Sequence, residues 1–281
     1  MLYSLGTLMW VGSLEWRDGY NAAFWFLLIP VLFQLWRDLR RNNRLRARLL
    51  MWALVITLIP GAGLSTNNSW PGTWIILYPA MLAALWALGR LYAEELRWSP
   101  LPWAPRIGLC ITALIMSFAE SWHNYAGRNL SWDPNPGHTF NLLVNGIVIL
   151  VMLSALVLLF TRRPDLFSIQ EWAEPALPFL ALLSRGLLES SPASDGLLAG
   201  VFNVFVLVWG ITNVVGGLRE VRWAALNFGL LAICGLLAVR FFDSDMTFLT
   251  RGVLFVLLGA AFLGANLYLS ARRKSMGGAA I

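Results

Sequence analysis

The sequence predicts an all-α fold, a polytopic transmembrane bundle of about ten helices, on three observations. Of its 281 residues 58% are hydrophobic and only 13% charged, where a soluble domain is nearer half apolar and a quarter charged. Its apolar residues fall into runs close to the 20 or so that span a bilayer. Its basic residues gather in short clusters between alternate runs, as orientation determinants do.

Taken in order, the runs are 21–36, 49–65, 73–91, 105–121, 140–160, 174–190, 197–217, 221–240 and 250–270. Residues 2–14 form a shorter tenth segment, tilted or truncated. It has neither the basic start nor the small-residue cleavage site of a signal peptide. The longest polar connection, Ser121 to Thr139, is too short to fold alone, so residues 1–281 read as a single integral membrane domain.

Orientation follows from the arginines. Arg37, Arg40, Arg41, Arg44, Arg46 and Arg48 follow the second segment, and Arg90, Arg97 and Arg106 flank the connection after the fourth. Arg162 and Arg163 follow the sixth, Arg219 and Arg222 the eighth, and Arg272, Arg273 and Lys274 the tenth. That places 16 of the 21 basic residues at every second connection, leaving Arg17, Arg128, Arg185, Arg240 and Arg251 on the other side. Both termini are therefore expected to be cytoplasmic. Trp16, Trp36, Trp70, Trp74, Trp98, Trp103, Trp122, Trp132, Trp172 and Trp223 fall near segment ends, where an indole suits the headgroup layer. Trp86 and Trp209 lie deeper.

The formal charge of +6 does not indicate nucleic acid, because a binding footprint needs a continuous basic face. Cys110 and Cys234 lie inside apolar runs and make no CxxC pair. Pro30, Pro60 and Pro79 fall within the early segments, where each removes a backbone donor.

Chemical motifs are weak. His123, Asp133 and His138 share the connection after the fifth segment, but their spacing matches no recurrent zinc site. There is no HExxH helix. Glu94-Glu95 begins an EExxxR pattern whose arginine position holds Ser99. Ser117 and Ser121 near His123 lack a nucleophile setting. No catalytic residue and no cofactor is expected.

The charges at the outer segment ends are the candidate site: Glu120, Arg185, Glu189, Arg240, Asp243, Asp245 and Arg251. Ionisable groups at membrane depth tend to pair and often mark function. Arg185 and Glu189 share a helix face at i,i+4. Two readings stand, a vestibule for a charged headgroup or solute and an ionic latch tying helix ends, with the latch preferred. Asn141, Asn145, Asn203, Asn213, Asn227 and Asn266 are expected as buried amides bonding between helices, and Gly252, Gly259 and Gly264 as points of close helix approach.

The C-terminal third carries a resemblance. Leu226-Asn227-Phe228-Gly229, then Val239-Arg240-Phe241-Phe242-Asp243-Ser244-Asp245, then Thr250-Arg251-Gly252 and a helix ending Ala271-Arg272-Arg273-Lys274, resembles the end of bacterial inner-membrane proteins catalogued only as domains of unknown function. The resemblance covers roughly residues 196–275 and implies a bacterial inner (cytoplasmic) membrane location, with no activity attached. Similar proteins often carry a small cytoplasmic N-terminal domain. This chain starts almost directly in an apolar stretch, as a shortened member or a fragment would. The expected role is non-enzymatic, a scaffold or accessory part of the envelope. The alternative is a small-solute or lipid transporter with the topology, though not the residues, of drug/metabolite transporters. Membrane lipids are the expected partners, nucleic acid is not, and the residues specify no protein partner.

Overall fold

The structure is a computed structural model of the whole chain. It describes residues 22–40, 44–66, 73–92, 100–126, 136–162, 164, 170–190, 195–243 and, with gaps, 252–271. Every element among the described residues is helical, with no strand. In chain order these are α1 (Ala22–Arg40), α2 (Arg44–Thr66), α3 (Thr73–Leu91), α4 (Ala104–Met116), α5 (Ala119–Ala126), α6 (Pro136–Arg162), α7 (Ala173–Ser190), α8 (Asp195–Arg219) and α9 (Trp223–Asp243). The described positions between 252 and 271 are helical too. The expected segment 2–14 lies outside the described residues.

Among the described residues four helices are long and apolar enough to cross a membrane: Trp74–Leu91, Leu143–Arg162, Asp195–Arg219 and Trp223–Phe241. At 1.5 Å per residue even the shortest, of 18 residues, reaches about 27 Å, close to the hydrocarbon thickness. Several helices overrun their apolar segments. Arg44, Arg46 and Arg48, expected in a connection, instead open α2, because arginine is a good helix former.

One expected segment is broken. Residues 105–121 divide into α4 and α5 at Ser117 and Phe118. The Ser117 and Phe118 amides donate back three residues, to the carbonyls of Leu114 and Ile115. The same two carbonyls accept the hydroxyls of Ser117, at 2.6 Å, and Ser121, at 2.9 Å. Serine side chains compete for backbone acceptors, which is why they disfavour helix interiors.

The chain divides into two compact units. The first comprises residues 1–112, 122–167 and 174–193, and the second residues 113–121, 168–173 and 194–281. In the first unit α3 is the central helix, with no exposed residue from Trp74 to Leu91. One side of it packs Leu77, Met81 and Leu85 against Leu28 and Val31 of α1 and Leu50, Leu54 and Leu58 of α2. The other sets Ala80, Ala83, Ala84 and Ala87 against Met152, Ala155, Leu156 and Leu159 of α6. Small side chains on α3 let the two helices come close.

In the second unit α8 and α9 form a hairpin. A Cβ added at Gly229 would lie 2.5 Å from the Gly210 carbonyl oxygen and 2.7 Å from the Val214 nitrogen, so the two backbones meet directly. The turn is short. The Arg222 amide donates to the Gly217 carbonyl at 2.9 Å, closing a Schellman motif around Val221, whose φ is 54°. That left-handed position normally takes glycine.

Close approach was expected instead at Gly252, Gly259 and Gly264. A Cβ there would meet nothing within 4 Å among the described residues. Spacing marks a helix face able to approach a neighbour, and whether a neighbour comes depends on the rest of the chain.

Candidate functional site

The polar groups of each unit gather where helices end. In the first unit Arg106, in the first turn of α4, lies 2.6 Å from Glu174, in the first turn of α7. The Glu174 side chain is wholly buried and that of Arg106 is 17% exposed. A carboxylate suits a helix start and a guanidinium does not, so the pair corrects the charge at α4. A buried carboxylate without such a partner is strongly destabilising. The pair also requires α4 and α7 to begin at the same end of this unit. Asn145, buried on α6, keeps its Oδ1 without a hydrogen-bond partner.

The second unit has a polar tie at each end of the α8–α9 hairpin. At the turn, the buried Gln170 donates its amide to Glu220 Oε1 at 2.9 Å and accepts from the Arg222 guanidinium. Arg222 and Glu220 also pair directly at 2.8 Å. Below them the buried Asn213 donates to the Gln170 carbonyl at 3.4 Å and to the Trp209 carbonyl at 2.9 Å. Gly216 makes room, since a Cβ there would collide with the Gln170 side chain. Trp172, two residues on, stacks edgewise on Phe205 and reaches Thr212. The segment before α7 is thus fastened to the hairpin by three consecutive kinds of contact.

At the other end Arg240 is the centre. Its Nε donates to Asn203 Oδ1 at 2.9 Å, and its terminal nitrogen donates to the Ser117 carbonyl. Asn203 in turn donates to the carbonyl of Ala199 at 2.7 Å and to that of Ser117 at 3.5 Å. The helix break explains the acceptor. In an unbroken helix the Ser117 carbonyl would receive the amide of residue 121, and the interruption leaves it as a strong acceptor on a buried residue. A guanidinium offers five donors and so can satisfy a carbonyl and an amide oxygen together.

The sequence-derived candidates fare unevenly. Arg240 is engaged in a tie, and the two acceptors just described are neutral rather than acidic. Glu120 is exposed in α5, and Arg185 is buried on α7. Glu189 and Asp243 lie in helices with side chains outside the described residues, as does His123 in α5 and His138 in α6. Asp133, Asp245 and Arg251 lie outside the described residues altogether. Among the described residues no group of three His, Cys, Asp or Glu could hold a metal ion.

Of the asparagines, Asn145 and Asn213 are buried as expected and Asn203 is half-buried, but Asn227 is exposed. Asn266, among the described residues, bonds back to the Phe262 carbonyl of its own helix. Sequence reasoning did not foresee Gln170, Glu220 or the Ser117 carbonyl. The signals were the serines at 117 and 121, and a polar Gln-Glu pair directly before Trp172. No family model, curated protein or solved structure matches this chain.

Proposed function

We propose that this is a multi-pass protein of the bacterial inner membrane with both termini cytoplasmic. In this reading it works without catalysis, as a scaffold or accessory subunit of the envelope. One observation carries the membrane part. The exposed face of α8 is the apolar line Leu197, Val201, Val204, Val208, Ile211 and Val215, while Asn213, Gly210, Gly216 and Gly217 turn inward. On α6 Leu143, Ile147, Leu150 and Val157 are likewise exposed, each by 59% or more. A water-soluble helix has the opposite polarity, and faces this long and apolar require an apolar surrounding.

The three ties support the alternation of segment ends on which the orientation rests. Arg106 with Glu174 joins segment starts that the arginine alternation puts in the cytoplasm, as does Gln170 with Glu220 and Arg222. Arg240, Asn203 and Ser117 belong to ends placed outside. The non-catalytic part is supported by the use made of these polar groups, which are spent on bracing helices. The break at Ser117 favours the second reading, a small-solute or lipid transporter, because discontinuous helices line transport sites. Its freed carbonyl is occupied by Arg240 and Asn203, which favours a brace.

The test is a thermal-shift screen of the detergent-purified chain against lipids, nucleotides, metals and metabolites, with Arg240→Gln alongside. A ligand that binds the folded state raises apparent stability. For a brace, Arg240→Gln lowers the melting temperature and no solute gives a specific shift. A solute-specific shift abolished by Arg240→Gln would put transport first. Extraction of the native membrane with alkaline carbonate leaves the chain in the pellet, and its release would sink the membrane reading.

A further inference from the structure

We infer that the end of the α1–α2 hairpin is a binding site for the phosphate headgroup of an anionic phospholipid. The inference rests on the membrane reading above, which puts this hairpin end at headgroup depth.

Residues 37–48 contain six arginines and one acid, Asp38. A cluster this dense beside an apolar helix is the pattern that attracts anionic lipid. Of the 21 basic residues in the chain, Lys274 alone is lysine. Orientation by positive charge is served by either residue, whereas arginine alone offers a planar fork that grips phosphate oxygens in pairs.

Among the described residues, the structure brings Arg37, Arg46 and Arg48 to one end of this hairpin. Leu28 and Val31 of α1 pack in one cluster with Leu50, Met51, Leu54 and Val55 of α2, and residues 41–43 connect the two helices. Antiparallel pairing with so short a connection puts the last turn of α1 beside the first turns of α2. Arg37 and Arg46 are exposed there, and Asp38 is buried at 4%, so the charge presented outward is arginine. Arg48 is half-buried, and its Nε has no hydrogen-bond partner.

Helix polarity adds a second argument. Arg44, Arg46 and Arg48 stand at the amino-terminal end of α2, with no acid in its first turn. That end already carries partial positive charge from its open amides, so cations there are unfavourable unless an anion joins them. A phosphate supplies that anion. An acid in the first turn of α2 would serve as well, and that turn has none; the nearby Asp38 is buried on α1.

The experiment titrates short-chain phosphatidylglycerol into the full-length protein in neutral detergent, with phosphatidylcholine of the same chain length and inorganic phosphate as references. Phosphatidylglycerol is expected to bind more tightly than phosphatidylcholine. Arg37→Gln and Arg46→Gln should each weaken it roughly fivefold, the value of one arginine near an anionic surface. Arg46→Lys keeps the charge and the fold while losing the fork, and should fall between. Arg272→Gln with Arg273→Gln, removing two charges elsewhere, should leave binding unchanged.

Equal affinity for the two lipids, or an equal loss in the Arg272/Arg273 variant, overturns the site. Inorganic phosphate binding as tightly as the lipid overturns the lipid in favour of a free anion. Carbonate extraction separates this from the parent reading. A chain that stays in the membrane pellet but ignores headgroup charge fails only here, and a chain released to the supernatant fails both.

Discussion

The α3–α6 pair of the first unit and the α8–α9 pair of the second both join helices of spanning length, by different means. Helices α3 and α6 are far apart in sequence and meet through side chains: alanines on one, Met152, Ala155, Leu156 and Leu159 on the other. Helices α8 and α9 are joined by a turn of three residues and meet through backbone, at Gly210 and Gly229. Each end of the second pair is then fastened by polar ties. Proximity along the chain lets a pair rely on glycine and hydrogen bonds. A distant pair is held by apolar shape, which tolerates small changes better because side chains can shift and backbones cannot.

Gly229→Ala should therefore be the most damaging single change. Its methyl would sit within 2.7 Å of two backbone atoms of α8, so the hairpin must spread along its length. Overpacking of this kind costs about 1–3 kcal/mol and sometimes more, and the upper end is expected here. In the alanine-packed pair, Ala83→Gly should cost about 1 kcal/mol, chiefly helix propensity. Denaturant titration of both variants in the same detergent measures the difference. Equal losses would mean the two pairs are held alike.

Arg240→Met comes next, at about 1–2 kcal/mol, since it takes a charged donor from the amide oxygen of Asn203 and from the carbonyl of the buried Ser117, which keeps only the long bond from Asn203 among those described. A double-mutant cycle with Asn203→Leu should give a coupling near 1 kcal/mol, because the two side chains share one bond and one acceptor. Additive losses would dissolve the tie into general packing. At the turn, Glu220→Gln should cost less than about 1 kcal/mol. Glu220 and Arg222 are 49% and 43% exposed, and water and salt screen such pairs. A larger loss at Glu220 than at Arg240 would reverse the ranking of the two ends.

These ties mark where sequence reading stopped. Helix class, and most helix limits to within a few residues, follow from apolar run length, as with α3 at Thr73–Leu91 against an expected 73–91. The arginine alternation gives an expected order of the segment ends, and Arg240 is one of seven charges expected at the outer ones. Its acceptors were not legible. One is a backbone carbonyl 123 positions away, released by a helix break, and a carbonyl leaves no mark on residue type. Gln170 was missed because its role depends on Gly216 making room 46 positions later. For the glycines of residues 252–264, spacing gives a helix face without giving the neighbour it meets, and none stands there among the described residues.

The smallest effect, and the one whose sign is informative, belongs to Val221. A β-branched residue at φ 54° bears roughly 1–2 kcal/mol of steric strain, which glycine would remove. Glycine gives back about 0.5–1 kcal/mol in chain entropy, and it loses the contact of the valine side chain with the cluster around Leu226 and Leu230. Val221→Gly should therefore change stability by less than about 1 kcal/mol, with a slight gain expected. A clear gain says that the turn is strained and that the ties hold it in that shape. A clear loss says that the valine is the apolar clasp of the Schellman motif, and that the second unit relies on side-chain packing at its turn as the first does between α3 and α6.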